Sequence, residues 1–446
     1  MFLKSKTTIS YVLIGAFASF ALSCRDESAK RISVGATIGA EAPPVVRMLP
    51  PLPARPLSPK LEAMGARAMN TAGNLRELAW TNEVGMAELS AWEYGTRTRE
   101  MTELLGGDDL RALSHLAVSG GVLPKGTDLA SLAASFTALS AGATYSPLDK
   151  QILLVDKTSG DSILTHEFVH ALQDQHFDLL KMLDVRPYNF DRTEAAFAVI
   201  EGDAMNVQRR AEETDAVYAR RPLDDIARQE SERFNEYRKE IGQIFPPLLT
   251  ETFIFRYRDG ARFVEAVRRR GGERAVDNLF LHPPASSEQI LHPEKYFANE
   301  LPRRAELNEE SFAAEGWHMT ASTPLGEIGI RGLLMNGVSE RDAVRAAAGW
   351  GGDCAYLFER ARHAPLFIWR TVWDKREDAQ EFYHAYNDVQ RRNAAPADTA
   401  LSPRGELAMA WREGELLTLV RLHGDTVLIL RGTEEDIAQA IQLISS

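Results

Sequence analysis

Asp161 to His176 read DSILTHEFVHALQDQH, a pattern with two histidines, His166 and His170, four residues apart. Glu167 directly follows the first of them. On a helix, positions four apart differ by about 40° around the axis and about 6 Å along it, so both imidazoles project side by side. This spacing lets two histidines hold one zinc ion and places Glu167 beside the ion as a general base.

The residues around this pattern are apolar and spread around the helix: Ile163, Leu164, Phe168, Val169, Ala171 and Leu172. A helix that is apolar on most sides is a buried one. Burying two imidazoles and a carboxylate without partners costs several kcal/mol, and a metal ion supplies the partner. The alternative is a pair of hydrogen-bonded histidines in a core. The buried context favours one bound Zn²⁺.

The segment 166–178, HEFVHALQDQHFD, resembles the active-site helix of zincin metallopeptidases. It is particularly similar to a group of bacterial envelope lipoproteins, as are EGDA at 201–204 and SSEQILHPEKY at 286–296. The resemblance is strong over about 152–205, is weaker through about residue 296, and does not extend to the C-terminal region. It implies hydrolysis of peptide bonds, with Glu167 as the catalytic base.

Zinc needs at least a third protein ligand, and two residues compete for this position. In gluzincins a glutamate from a following helix completes the site, and Glu201 fits this pattern in the apolar context AAFAVI of 195–200. In metzincins a histidine ten residues after the first does so, which here is His176. A continuous helix would carry His176 about 15 Å along the axis, and Gln173 is a good helix former where metzincins have glycine, so Glu201 is favoured. Glu194, seven residues before Glu201, is a further candidate, although capping and the helix dipole explain it better.

Other site residues are less specified by the sequence. Asp174 and Asp203 could orient the ligand histidines, or serve as ordinary surface or capping residues. The resemblance also implies a tyrosine or histidine that stabilises the oxyanion. The candidates for it, each with packing as the alternative, are Tyr257, His292 and Tyr296. The strand predicted at 152–155 resembles the edge strand along which zincins bind peptides.

The N-terminus indicates export. Lys4 and Lys6 precede an apolar stretch at 9–22, which is typical of a signal peptide and is too short for a membrane span. The small and apolar residues directly before Cys24 resemble a lipobox, which implies a lipid anchor at this cysteine and a location at the bacterial cell envelope. The alternative is an ordinary signal peptide cut near Ser23. With Cys24 lipidated, Cys354, the other cysteine of the chain, has no disulfide partner within it.

Composition and patterning predict an α+β protein of several parts. The chain has 446 residues, 44% of them hydrophobic, and a net charge of −12, which argues against nucleic-acid binding. We expect a signal peptide at 1–23, a proline-rich tether at 24–59 and a largely helical zincin-like domain with a small sheet at 60–300. A smaller α+β domain with an antiparallel sheet is expected at 301–446. Its predicted strands are 366–373, 406–411, 416–422 and 426–431, and its predicted helices are 376–393 and 434–445.

The expected function is zinc-dependent hydrolysis of peptide bonds in an envelope or extracellular protein or peptide. Two alternatives remain open. One is a non-catalytic zinc-containing envelope lipoprotein that binds a partner. The other is a zinc amidase that acts on cell-wall material. The sequence does not specify the oligomeric state.

Overall fold

The computed structural model describes residues 49–445, apart from residue 141 and the segments 156–159 and 402–406. The predicted signal peptide, Cys24 and most of the predicted tether therefore lie outside the described residues. In the part of the chain that is described, we find no helix with both the length and the apolar character needed to cross a bilayer.

Helices make up most of the N-terminal two thirds of the described chain. The helices are α1 (Pro59–Arg76), α2 (Ala91–Ser119), α3 (Leu129–Ser140), α4 (Asp161–Phe177), α5 (Leu179–Leu183), α6 (Phe190–Glu213), α7 (Asp215–Tyr218), α8 (Leu223–Ile241), α9 (Pro247–Leu281), α10 (Ser287–Leu291), α11 (Pro293–Phe297), α12 (Glu309–Ala314), α13 (Gly326–Leu334), α14 (Glu340–Ala347), α15 (Arg376–Asn393) and α16 (Glu434–Ser445).

The strands form two sheets. The strands are β1 (Gly85–Glu88), β2 (Ala143–Ser146), β3 (Gln151–Leu154), β4 (His318–Thr323), β5 (Trp350–Glu359), β6 (Leu366–Trp373), β7 (Ala395–Pro396), β8 (Leu407–Glu413), β9 (Leu416–His423) and β10 (Thr426–Gly432). The small sheet has the order β1-β3-β2, and the large one has the order β4-β5-β6-β10-β9-β8-β7. Neighbouring strands in the large sheet are all antiparallel. The predicted α+β fold with a C-terminal antiparallel sheet is confirmed.

The expectation for the strand before α4 is wrong. The strand β3 is central rather than at the edge, because it pairs with β1 in parallel and with β2 antiparallel. The edge strand next to α4 is β2.

The helix α4 is buried nearly along its whole length, as its apolar composition predicts. Every residue from Ile163 to Asp174 is buried. Its apolar side chains pack in a cluster with Ala68 and Ala72 of α1 and with Ile152 of β3. The helix α4 also packs against α6, which follows the N-cap Asn189, whose side chain accepts a hydrogen bond from the Arg192 N–H.

The helices α6 and α9 cross closely, and two glycines permit the close approach. A Cβ atom on Gly202 would lie 2.3 Å from the carbonyl group of Gly260, and one on Gly260 would lie 2.3 Å from the carbonyl oxygen of Ala198. Any larger residue at either position would push the backbones apart. The crossing therefore fixes where side chains of α9 reach α6, directly beside Glu201.

The predicted boundary near residue 301 does not separate two cores. The largest buried cluster contains Phe197 of α6 and Phe253 of α9 together with Leu333 of α13 and Trp369 of β6. The backbone of α9 also approaches Gly332 closely, since a Cβ atom there would lie 2.8 Å from Leu248 Cα. The C-terminal sheet therefore supports the same helices that carry the predicted site.

Candidate metal centre

The helices α4 and α6 bring three candidate ligands together. Nε2 of His166 and Nε2 of His170 each lie 3.4 Å from Oε2 of Glu201. The ligand atoms of the three residues all lie within 4.8 Å of one another, and all three side chains are buried. The helix α4 thus supplies both histidines, and the neighbouring helix α6 supplies the carboxylate.

These separations match metal coordination better than hydrogen bonding. Nitrogen–oxygen hydrogen bonds are about 2.7–3.2 Å long, so 3.4 Å is long for such a bond. Zinc lies about 2.0–2.1 Å from nitrogen and oxygen ligands, and in a tetrahedron this bond length places two ligands about 3.3–3.4 Å apart. Both imidazole–carboxylate distances agree with this expected separation of two ligands. The donor set of two imidazoles and one carboxylate is also one that zinc binds.

The centre contains polar atoms that lack hydrogen bonds within the described residues. They are Oε1 of Glu167, Nε2 of His170 and Oε1 of Glu201. His166, Glu167 and Glu201 are 0% exposed and His170 is 3% exposed, so water does not reach these atoms from the surface. Unpaired buried polar atoms are costly, and a divalent cation with its own water would satisfy them. The residues therefore fit a metal ion.

Side-chain amides, and not carboxylates, orient the two imidazoles. Oε1 of Gln208 lies 3.1 Å from Nδ1 of His166, and Oε1 of Gln173 lies 2.8 Å from Nδ1 of His170. Each amide oxygen accepts a hydrogen bond from Nδ1–H, which leaves Nε2 of each ring on the side of Glu201, where it can bind a metal ion once it carries no proton. The prediction that Asp174 and Asp203 orient the rings directly is wrong.

The two aspartates have other partners because helix rotation points them elsewhere. Asp174 accepts hydrogen bonds from the Tyr145 hydroxyl at 2.7 Å and from Nζ of Lys150 at 2.6 Å, so it ties α4 to the β2–β3 hairpin. Asp203 accepts a hydrogen bond at 2.9 Å from Nε2 of Gln173, so it contacts His170 only indirectly, through Gln173.

Glu167 is held by the edge strand. Its Oε2 accepts a hydrogen bond of 2.7 Å from the backbone N–H of Tyr145 in β2, while its Oε1 remains without a partner among the described residues. Burial raises the pKa of Glu167 to about 8. The positive charge of a divalent cation would favour the ionised carboxylate that a general base requires.

The charges around the three candidate ligands keep a proton on His170 when no metal ion is bound. Burial would lower the pKa of His170, but the charge of Glu201 outweighs burial and raises this pKa to about 9. For Glu201, burial acts to raise the pKa, yet the charge of His170 and the closeness of both imidazoles lower it to about 2. Burial lowers the pKa of His166 to about 4. A metal ion therefore has to displace the proton of His170.

Of the three candidate oxyanion stabilisers, Tyr257 lies at the centre. Its ring stacks on that of His166, with centroids 6.4 Å apart, and its hydroxyl hydrogen-bonds Glu201. His292 instead contacts Glu327 of α13 at 2.9 Å, and Tyr296 packs on Phe263 with ring centroids 5.2 Å apart. The expectation for His292 and Tyr296 is wrong. The reason is that α10 packs against the N-terminal end of α6, where the Ser287 N–H donates to Asp191, about 15 Å along the axis from Glu201.

The competing ligand candidates lie elsewhere. His176 is exposed at the end of α4, and its Nε2 lies 2.8 Å from the carbonyl oxygen of Ala79. Glu194 forms a buried, two-pronged ion pair with Arg256, at 2.6 and 2.7 Å. Capping does not explain Glu194 either, because Asn189 caps α6.

Sequence reasoning missed both amides, although their spacing carried a signal. Gln173 lies three residues after His170 on α4, and Gln208 lies seven residues after Glu201 on α6, so each shares a helix face with a candidate ligand. It also missed the Tyr145 N–H, for which local sequence offers no signal.

The comparisons with known proteins concern mainly the C-terminal sheet. Residues 317–442 match a family described as a domain of unknown function, DUF8575. This match includes all seven strands of the large sheet and excludes α4 and α6. Neither a curated protein nor a solved structure matches the chain. Inference about the centre therefore depends on its own geometry.

Proposed function

We propose that this protein is a zinc-dependent peptidase in which His166, His170 and Glu201 hold one Zn²⁺. The observation that carries the proposal is the 3.4 Å distance from Oε2 of Glu201 to each imidazole, beside a carboxylate, Glu167, whose Oε1 has no partner in the described part of the chain. Structural zinc sites usually close with four protein ligands, whereas catalytic sites keep a position open. Three candidate ligands and a free carboxylate oxygen favour catalysis.

In the proposed reaction, the zinc ion and the side chains of the protein have separate roles. Zinc lowers the pKa of a bound water to about 7 and polarises a carbonyl group. Glu167 takes the proton of the attacking water on Oε1 and returns it to the leaving amine. The Tyr145 N–H fixes Oε2 and thereby aims Oε1. The Tyr257 hydroxyl is the donor at the centre that stabilises the oxyanion after it turns from Glu201 to the substrate.

A second candidate function is a non-catalytic role in which zinc stabilises the fold. Burial favours it, because the three candidate ligands and Glu167 are at most 3% exposed and every residue of β2 is buried. A peptide would need an opening to reach Glu167. The unpaired Oε1 of Glu167 argues for catalysis, since a purely structural site has no need for this carboxylate.

The experiment that separates these functions compares three variants with the wild type. Zinc content and cleavage of peptide libraries and cell-wall fragments are measured on purified protein. We expect His170→Ala to lose zinc and activity, and Glu167→Gln to keep zinc but lose activity. His176→Ala is the matched control, since it removes an exposed histidine of the same helix, and it should change neither property.

Three results would reject the peptidase proposal in different ways. Full biological function of Glu167→Gln would support the non-catalytic role. Cleavage of wall fragments but not of peptides would indicate an amidase. Unchanged zinc in His170→Ala would mean that the metal is held elsewhere.

We also propose that the protein is anchored by lipid at Cys24 in the bacterial envelope, with a peptide or protein as substrate. The support is the sequence alone, with Lys4 and Lys6 before the apolar stretch at 9–22 and small and apolar residues directly before the cysteine. Radiolabelled palmitate should enter the wild type and not Cys24→Ser. Equal labelling of both proteins would contradict the anchor.

A further inference from the structure

The His170 imidazole is the end of a continuous chain of buried polar groups. Nδ1 of His170 donates to Oε1 of Gln173 at 2.8 Å. Nε2 of Gln173 donates to Oδ2 of Asp203 at 2.9 Å and to the carbonyl oxygen of Ile200 at 3.0 Å. Gln173 is 0% exposed and Asp203 is 2% exposed, so water does not compete for these bonds.

The partners of Gln173 determine which way its amide faces. Asp203 and the Ile200 carbonyl are both acceptors, so the NH₂ group of Gln173 has to face them and its carbonyl oxygen has to face His170. Nδ1 of His170 then carries the proton. Once a metal ion displaces the second proton of this ring, its lone pair therefore lies on Nε2, the atom that is 3.4 Å from Glu201.

Asp203 is in turn fixed by Arg76, the last residue of α1. Nε of Arg76 donates to Oδ2 of Asp203 at 2.9 Å, and its two NH groups donate to Glu273 and Asp277 at 2.8 and 2.7 Å. Arg76 is 0% exposed. A helix far upstream in sequence thus reaches the candidate metal centre through two intermediate side chains.

We propose that Arg76, Asp203 and Gln173 form a positioning chain that fixes the tautomer and orientation of His170 and so sets zinc affinity. The inference rests on the proposed metal centre. The helix α1 then takes part in building that centre.

The neutral amide in this chain suits a buried centre. The two charges of Zn²⁺ are matched by Glu167 and Glu201, and Asp203 pairs with the buried Arg76. A carboxylate directly on either imidazole would add a third negative charge to the centre. Gln173 transmits the orientation set by Asp203 without adding charge to the centre.

The test measures zinc affinity, by competition with a chromogenic chelator, and the absorption spectrum of the Co²⁺-loaded protein. We expect Gln173→Leu to weaken zinc binding about 10–100-fold and to change the Co²⁺ spectrum, because Nδ1–H loses its acceptor. Gln175→Leu is the matched control. Its side chain lies on the same helix and bonds Thr81 and Asn82 at the surface, so both readouts should stay at wild-type values.

A paired substitution keeps the inference testable if Gln173→Leu does not fold. Gln173→Glu alone places two carboxylates where Gln173 and Asp203 now lie 2.9 Å apart, and zinc binding should weaken. Adding Asp203→Asn supplies an amide N–H at position 203, which can donate to the new carboxylate at position 173. The double variant should then bind zinc more tightly than Gln173→Glu alone, which a merely additive loss of stability would not produce.

The results separate the positioning chain from the metal centre. Folded Gln173→Leu with wild-type zinc affinity and Co²⁺ spectrum would overturn the positioning role and leave the centre intact. A double variant no better than Gln173→Glu would also count against it. A wild-type protein that binds no zinc would instead remove the metal centre on which both proposals depend.

Discussion

The crossing of α6 and α9 makes Gly260→Ala a sharp test of how the fold builds the centre. The new Cβ would lie 2.3 Å from the carbonyl oxygen of Ala198, whereas ordinary contact begins at 3.4 Å, so the two backbones have to separate by about 1.1 Å. Neither atom belongs to a side chain that could swing aside. Glu201 lies three residues after Ala198, and Tyr257 lies three residues before Gly260.

Two effects of this substitution oppose each other, and their magnitudes decide the outcome. Alanine in a helix interior is favoured over glycine by about 1 kcal/mol. Overpacking costs typically 1–3 kcal/mol, and rigid backbone contacts lie at the upper end of that range. We therefore expect the free energy of unfolding to fall by about 2 kcal/mol. Zinc binding should weaken as well, because ligand distances tolerate changes of only about 0.2 Å.

The assay is urea unfolding in the presence of a chelator, followed by measurement of zinc affinity without it. Gly160→Ala is the control, because the added Cβ would meet no atom of the described residues within 4 Å and the backbone φ of −84° suits alanine. This control should change stability by less than about 1 kcal/mol and leave zinc binding unaltered. Wild-type stability and zinc affinity in Gly260→Ala would refute the tight crossing.

Three further outcomes are expected. Glu194→Gln should keep zinc but lower the free energy of unfolding by about 3–5 kcal/mol, since it removes the carboxylate charge that faces the buried Arg256 guanidinium, and zinc loss would make Glu194 a ligand after all. Burial raises the pKa of Asp191 to about 7, so its native-state proton stabilises the fold below about pH 4 and this stabilisation is lost as pH rises through 7. Asp191→Asn should therefore gain up to about 4 kcal/mol relative to the wild type between pH 4 and pH 8 in chemical unfolding, and parallel curves would contradict this. Chelation should lower the melting temperature of the wild type and not that of Glu201→Ala, in which added zinc should also have no effect.

Sequence patterns predicted the elements whose periodicity is regular. The bounds predicted for β6, α15 and α16 are those observed. The strand β5 was missed, because Gly351 and Gly352 followed by an aspartate are typical of a turn. Tertiary contacts explain why this segment is extended: a Cβ on Gly352 would lie 2.1 Å from the Arg303 carbonyl oxygen, and Asp353 accepts hydrogen bonds from two backbone N–H groups and from two tryptophans.

At the candidate metal centre, too, the sequence predicts one part of the arrangement and tertiary packing decides the rest. Four-residue spacing on one helix suffices to place His166 and His170 together, and a lone glutamate in an apolar run indicates that Glu201 needs a buried partner. Which side chains touch the outer nitrogens of the imidazoles depends on how α4 and α6 are rotated against each other. Local sequence does not encode that rotation; packing across the α6–α9 crossing and the Arg76 ion pairs decide it. Glutamines therefore occupy the positions that the sequence suggested for aspartates.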